Sequence, residues 1–361
     1  MSGKFQYSTD ISVSSVVNHQ NNTTMNRSDI LSVFERKPFI PHPLLKSGHA
    51  QTIVSAVLSR RKRLLVQCSE PRMFHLPHKI QILGHCSWQS DKKKTPCLVL
   101  IHGMEGSTES PYMIGTAEKA LAAGLNVVRL NIRNCGGVKP NQAFYHAGLT
   151  EDLRQIFYQL REVDGVDECY LAGFSLGGNQ SLKFAGEEKS NGQNILRGLV
   201  AVSPSVYLPT CIDALERHTN YLYHINFLRS IKRKVVAYNE TYPGWVDASL
   251  LPKIRTLRKF DDVYTAPYSG FRDAADYYER ASSRNYLADI QIPTLILHSE
   301  DDPFIPADPL HHHKVTTNPN LVTIITRHGG HVAFISAIPE NNCRRWAESR
   351  VIDFVQTLRK K

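Results

Sequence analysis

A serine flanked by glycines two residues away on either side is the strongest chemical signal in this chain. Gly173-Phe174-Ser175-Leu176-Gly177, followed by Gly178, matches the pattern G-x-S-x-G. ECYLAG before it reads as a buried strand, and SLGGNQSLKFAGE from the serine onward reads as a helix. A serine on so sharp a strand-to-helix turn projects its hydroxyl out of the sheet, and the amide after it points at a developing oxyanion. On this reading Ser175 is a nucleophile and the Leu176 N–H is one oxyanion donor. A bare G-x-S-x-G also arises by chance in glycine-rich turns, so the flanking strand and helix carry the assignment.

Three further segments complete the chemistry. His102-Gly103-Met104-Glu105-Gly106 follows the apolar run CLVLI, in the place where this kind of site draws its second oxyanion amide, and Met104 is the candidate donor. Such a donor stabilises charge present only in the tetrahedral state, typically by about 3 kcal/mol. SEDDPFIP follows the run IPTLILH and offers Asp301 and Asp302. Asp302 is preferred because the pattern acid-x-x-apolar-Pro starts there, with Ile305 and Pro306. Asp301 is the alternative, with turn capping as its other role. HGGHVAF follows LVTIIT and offers His328 and His331. His331 is preferred because two glycines free the loop before it and an apolar helix is expected after it. The order serine, acid, histidine suits a catalytic triad in which His331 takes the Ser175 proton, Asp302 orients the imidazole, and water deacylates the enzyme. No metal and no organic cofactor are expected.

These side chains need a scaffold, and the pattern supplies one. CLVLIHG, NVVRLN, ECYLAG, RGLVAVSP, IPTLILHS and LVTIITR read as strands, mostly separated by helical periods at 111–122, 149–162 and after Ser175. Strands alternating with helices of about 10 to 15 residues imply an α/β fold with a mostly parallel central sheet. The alternation lapses after Pro204 and returns near residue 289, and a last helix is expected near 343–358. The expected organisation is a flexible polar leader at 1–30, an α/β core at 31–205 and 289–361, and a mostly helical cap insertion at 206–288. PFIPHPLLKSGHAQTIVSAVL is expected to pack on the core as an N-terminal extension.

Composition excludes several classes. Hydrophobic residues make up 42% of the 361, enough for a sizeable core. Seven scattered cysteines without a CxxC pair argue against a disulfide framework or a zinc ribbon. The N-terminus lacks an apolar signal region, and no stretch reaches the roughly 18 to 20 apolar residues of a membrane span. A cytoplasmic location is expected. The net charge of +10 leaves peripheral contact with an anionic membrane open. Arg60 to Arg63 and Lys92 to Lys94 lack interleaved aromatics, so no nucleic-acid partner is expected. Three adjacent histidines, His311 to His313, cannot easily converge on one ion and are read as a solvated helix face. Tyr221, Tyr223, Phe227, Trp245 and Tyr277 are candidates for an acyl pocket, with ordinary core packing as the competing role.

Taken together, PHPLLKSGHAQT, LIHGMEGSTESPY, NVVRLNIRNCGG, AGFSLGGNQSLKFAGE, DDPFIP and HGGHVAFI resemble the YheT-like branch of the α/β-hydrolases, from about Pro38 to the C-terminus. The resemblance implies an α/β-hydrolase fold, esterase activity on acyl esters, and Ser175, Asp302 and His331 as charge-relay residues. Related eukaryotic proteins act on lipids or make medium-chain esters. The chain departs from those relatives in its polar leader, where they usually carry a membrane anchor, and in the segment VKPNQAFYHAG. Ester hydrolysis and acyl transfer to an alcohol would use the same residues. A binding protein on the same fold is the non-catalytic alternative.

Overall fold

The computed structural model describes residues 27–58 and 62–360, together with the backbone of Ile11 and Ser12. Most of the sequence read as a leader, and Arg60 and Arg61 of the basic run, lie outside the described residues. Among the described residues nine strands form the main sheet: β1 (Ile11–Ser12), β2 (Ser69–Leu76), β3 (Ile80–Ser87), β4 (Cys97–Ile101), β5 (Asn126–Leu130), β6 (Cys169–Phe174), β7 (Gly198–Val202), β8 (Thr294–Ser299) and β9 (Leu321–Thr326). Their spatial order is β1-β9-β8-β7-β6-β4-β5-β3-β2. From β4 to β9 every pairing is parallel, while β1, β2 and β3 pair antiparallel at the two margins.

The parallel strands are apolar on both faces because helices cover both. Every residue of β4, β5, β6, β7 and β8 is buried. The described helices of eight or more residues are α1 (Arg27–Arg36), α2 (Gly48–Val57), α3 (Pro111–Ala122), α4 (Glu151–Glu162), α5 (Leu176–Glu188), α6 (Leu208–Leu215), α7 (Tyr221–Thr241), α8 (Ala274–Ala281) and α9 (Trp346–Arg359). Leu98, Leu100, Tyr170, Ala172 and Val200 pack with α1, α3 and α9 on one face. Their alternates Val99, Ile101, Leu171, Leu199 and Ala201 pack with α4, α5 and the 206–288 segment on the other. Period-two alternation of side chains thus splits the core into two layers.

Two expectations need correction. The hairpin β2–β3 precedes the first strand read from the sequence. Its burial alternates rather than running continuously, and its turn places His78 and Lys79 at positive φ (58° and 60°). An apolar helix does not follow His331. Val332 and Phe334 also take positive φ, and the chain then enters strand β10 (Ile335–Glu340), paired with β11 (Cys343–Arg345). The Gln51 side chain explains this: its Oε1 accepts from the Ile335 N–H at 2.7 Å and its Nε2 donates to the Ile335 carbonyl at 3.1 Å. A backbone held at both groups cannot join a helical ladder, and because Cys343–Arg345 pair with this strand the last helix starts at Trp346 instead of residue 343.

Between β7 and β8 the chain forms α6, α7, α8 and short helical turns, with no strand among the described residues. At the sheet's carboxyl edge, Gly177 of α5 is pressed onto the end of β4. A Cβ added there would stand 2.4 Å from the His102 carbonyl oxygen and 2.7 Å from that of Ile101. Gly177→Ala is therefore expected to lower the unfolding free energy by about 1 to 3 kcal/mol, read from the urea midpoint, since backbone cannot yield as a side chain would. An unchanged midpoint would refute this close packing.

Candidate active site

Ser175 sits between β6 and α5 at φ 55°, ψ −118°, a conformation that non-glycine residues rarely adopt. Such strain persists where the surroundings over-determine it. Here the Ser175 N–H donates to the Val202 carbonyl at 2.9 Å, and the Ser175 carbonyl accepts from Asn179 N–H at 3.0 Å. The glycines of the motif are needed for space: a Cβ on Gly173 would lie 2.3 Å from the Gly177 carbonyl oxygen.

The structure brings Ser175, His331 and Asp302 into one hydrogen-bonded line. Ser175 Oγ lies 2.9 Å from His331 Nε2, and His331 Nδ1 lies 2.7 Å from Asp302 Oδ2. The Asp302 side chain is fully buried, and its Oδ1 accepts the N–H groups of Phe304 (3.2 Å) and Ile305 (3.0 Å). This fixes the carboxylate and explains why the acid starts the D-P-F-I-P turn. Phe304 packs over His331 with ring centroids 4.2 Å apart. Asp301 and His328 do not join the line. Asp301 Oδ1 accepts the Gly330 N–H at 2.8 Å, and its Oδ2 lies 3.3 Å from His328 Nδ1. The adjacent acids thus divide the work: one faces the imidazole, and the other grips the loop that carries it.

Several residues of this site were not picked out from the sequence. Thr52 Oγ1 accepts the His331 N–H at 2.8 Å and donates to the Gly48 carbonyl at 2.7 Å. Gly48 and Gly330 allow α2 to lie directly under the histidine loop. A Cβ on Gly48 would fall 1.8 Å from the Asp301 carbonyl oxygen, and one on Gly330 would fall 2.5 Å from the Gly48 carbonyl oxygen. The extension read as general packing is therefore a brace for His331. Its only sequence signal is a cluster of small and polar residues, which a single chain cannot separate from an ordinary helix.

The loop after β4 runs against the elbow, and a Cβ on Gly103 would come within 2.9 Å of Ser175 Cβ. The Gly103 N–H is taken by the Tyr112 hydroxyl at 2.9 Å, and the next amide along the loop is that of Met104, the candidate donor. The Leu176 N–H opens α5, where helix geometry provides no intrahelical acceptor. Buried His102 holds the loop from behind: its Nδ1 lies 2.7 Å from the Gly103 carbonyl, and its Nε2 accepts the Ile132 N–H at 2.9 Å. Glu105, at φ 56°, accepts from Lys234 Nζ at 2.6 Å, from the Tyr145 hydroxyl at 2.5 Å and from the Ser230 hydroxyl. Lys234 and Ser230 belong to α7, so this buried pair ties the oxyanion-side loop to the inserted helices. Burial opposes the charge on Lys234, but Cys135 and Glu105 outweigh it and leave the pKa raised.

Met104, Ser175 and Leu176 open on an apolar cavity of about 90 Å³ whose walls include Leu208, Ile212, Phe227, Ile231, Tyr238 and Phe304. Of the aromatic candidates, Phe227 and Tyr277 line it. Tyr221 is 58% exposed, Tyr223 packs on the outer side of Phe304, and Trp245 packs against Phe144 and Tyr238. Among the described residues no cluster of three or more His, Cys, Asp or Glu has a metal-binding arrangement.

A mostly parallel sheet covered on both faces, with a serine elbow at the end of a central strand, is the alpha/beta hydrolase fold. The chain belongs to the alpha/beta hydrolase fold family, whose sequence model matches residues 96–337. Within it, the chain is 35% identical over 350 residues to YheT of Escherichia coli (strain K12), whose name gives it as a candidate esterase; the match spans 93% of this chain and 97% of that one. It is 26% identical to a Mus musculus protein named phospholipase ABHD3, over 72% of this chain and 63% of the other. A Saccharomyces cerevisiae monoacylglycerol lipase is 28% identical over 74% of this chain and 60% of its own. The Pyrococcus furiosus esterase Pf2001 superposes with a TM-score of 0.54 at 16% identity, covering 83% of this chain and 96% of that chain, a likeness of fold alone.

The buried histidines set a pH dependence. Burial pushes His102 down to about 4, and burial together with Arg133, Lys183 and Arg280 pushes His146 down to about 3. Both are held neutral in the folded chain and regain their ordinary value of 6.5 on unfolding. Their stabilisation is therefore complete above pH 6.5 and is lost as pH falls towards 4. The urea midpoint should drop over that range, and His102→Gln should flatten the drop. An identical profile for the variant would exclude His102 as a source.

Proposed function

We propose that this protein is a serine hydrolase of carboxylic esters, acting on medium-chain or lipid-like acyl esters. The observation that carries the reading is the line Ser175 Oγ to His331 Nε2 to Asp302 at the mouth of an apolar cavity. The relatives named as esterase, phospholipase and monoacylglycerol lipase support the ester class.

In the proposed reaction the Ser175 hydroxyl attacks the acyl carbonyl while His331 Nε2 accepts its proton. The carbonyl oxygen gains negative charge and takes hydrogen bonds from the amides of Met104 and Leu176. The imidazolium is stabilised by Asp302 and returns the proton to the departing alcohol, leaving an acyl-serine. Water, deprotonated by the same imidazole, then releases the acid. The 206–288 insertion acts as a cap: Phe227, Ile231 and Leu208 hold the acyl chain away from water, while the lock between Glu105 and α7 keeps the oxyanion loop in register. No cofactor enters this scheme.

A fluorophosphonate probe and a series of p-nitrophenyl esters test the proposal. Ser175→Ala should abolish labelling and lower kcat by at least about 10⁴-fold, and Asp302→Asn should cost about 10⁴-fold with the fold intact by circular dichroism. Labelling that persists in Ser175→Ala, or a folded wild type that neither labels nor turns over esters, would defeat the assignment. Ile231→Trp, which fills the cavity, should move the chain-length optimum to shorter acyl groups with little change in the rate of probe labelling. An unmoved optimum would place the acyl chain elsewhere.

A further inference from the structure

One side of the molecule carries apolar residues that the core does not use. Leu44 is 84% exposed, Ile53 49%, Val57 73% and Leu58 51%. They lie on α2 and its flanks, while the other face of the helix buries Gln51 and Thr52 in the brace under His331 and Ser55 against Arg345. The start of α7 adds Leu222, 75% exposed. The two segments adjoin. His49 Nδ1 is 3.2 Å from the Tyr223 hydroxyl, and the rings stack with centroids 5.8 Å apart. Tyr223 packs on Phe304, with centroids 5.1 Å apart, and Phe304 packs on His331. The exposed face is thus two rings away from the proposed general base.

The same two segments are set apart by charge. No acidic residue occurs from Arg36 to Ser69, and none from Arg217 to Asn239. Both stretches contain cations. Lys62 is paired with Glu109 and Lys234 with Glu105, but Lys46, Arg63, Arg217, Arg229 and Arg233 are exposed. Two segments far apart in sequence, each free of acid and each bearing exposed apolar side chains, meet beside the site. A basic surface with apolar side chains standing out of it matches the interface of an anionic bilayer, which offers acyl depth and phosphate charge together. A second copy of the same basic face would repel it.

We propose that the face formed by α2 and the start of α7 docks this protein on anionic phospholipid membranes, next to the entrance of the acyl site. The docking itself stands without catalysis. Its purpose, delivery of lipid esters, rests on the hydrolase reading above.

The test is sedimentation of the full chain with phosphatidylcholine vesicles, with and without phosphatidylglycerol. The wild type should bind the anionic vesicles, fail to bind the neutral ones, and be released by high salt. Val57→Glu with Leu222→Glu, and separately Arg229→Glu with Arg233→Glu, should each lower binding by about tenfold or more, while hydrolysis of a soluble short-chain p-nitrophenyl ester stays at the wild-type rate. Absence of binding by the wild type, equal binding to neutral vesicles, or binding unchanged in both variants would overturn the proposal. So would light scattering that shows a wild-type dimer dissolved by Val57→Glu with Leu222→Glu, which would make the face a contact between copies. Vesicle binding without any ester turnover would support the docking face and reject the hydrolase reading.

Discussion

The arrangement depends first on a steric constraint at the end of β6. Ser175 holds a left-handed conformation only because nothing larger than hydrogen projects from Gly173, Gly177 and Gly103 around it. That freedom lets α5 turn back onto the sheet and lets the loop after β4 come within contact of the serine. Hydrogen bonds from Ser175 to Val202 and from Asn179 to Ser175 then hold the turn. This one junction brings the candidate nucleophile and both candidate oxyanion amides together, and the contacts of Glu105 with α7 hold the loop that carries one of them.

The histidine poses the opposite problem. Its loop, rich in glycine and with Val332 and Phe334 also at positive φ, has little internal reason to adopt one shape. Among the groups that fix the loop from outside, beside Ser299 and Ser203, are three: Asp301 on the Gly330 amide, Thr52 on the His331 amide and Gln51 on the Ile335 backbone. Two of the three come from α2, nearly 280 residues earlier. A helix that touches neither Ser175 nor the His331 ring therefore helps to set the direction of the candidate base. Its outward face remains free to meet a membrane.

The helices inserted between β7 and β8 are joined to the core by a lock as well as by apolar packing. Glu105 follows the candidate oxyanion residue and is held by Lys234, Ser230 and Tyr145, so the position of α7 and that of the oxyanion loop are linked. Breaking a buried pair of this kind leaves an uncompensated charge, which costs more than the pair itself contributes. The lock thus favours a single position of α7 relative to the loop after β4.

The sequence by itself determined the parallel strands and the flanking helices, and it singled out the serine motif, the two acids and the two histidines as candidates. Those features are local: continuous apolar runs make buried strands, G-x-S-x-G makes the turn, and the two acids and two histidines stand next to each other in the chain. In the fold Asp302 meets the His331 imidazole, while Asp301, read from the sequence as an alternative acid or a turn cap, takes the Gly330 amide of the histidine loop. Three things were decided only in the tertiary structure. The β2–β3 hairpin shows half-exposed alternation with no strong turn signal, and pairing with β5 is what stabilises it. The segment after His331 begins with apolar residues that would suit a helix, but Pro339 stands within it, Gln51 takes both backbone groups of Ile335, and pairing with Cys343–Arg345 makes it a strand. Gly48 and Thr52 acquire their roles only when α2 is laid under a loop that no local pattern connects to it. In each case the deciding interaction joins residues far apart in the chain, and its energy becomes available only after the sheet has brought them together.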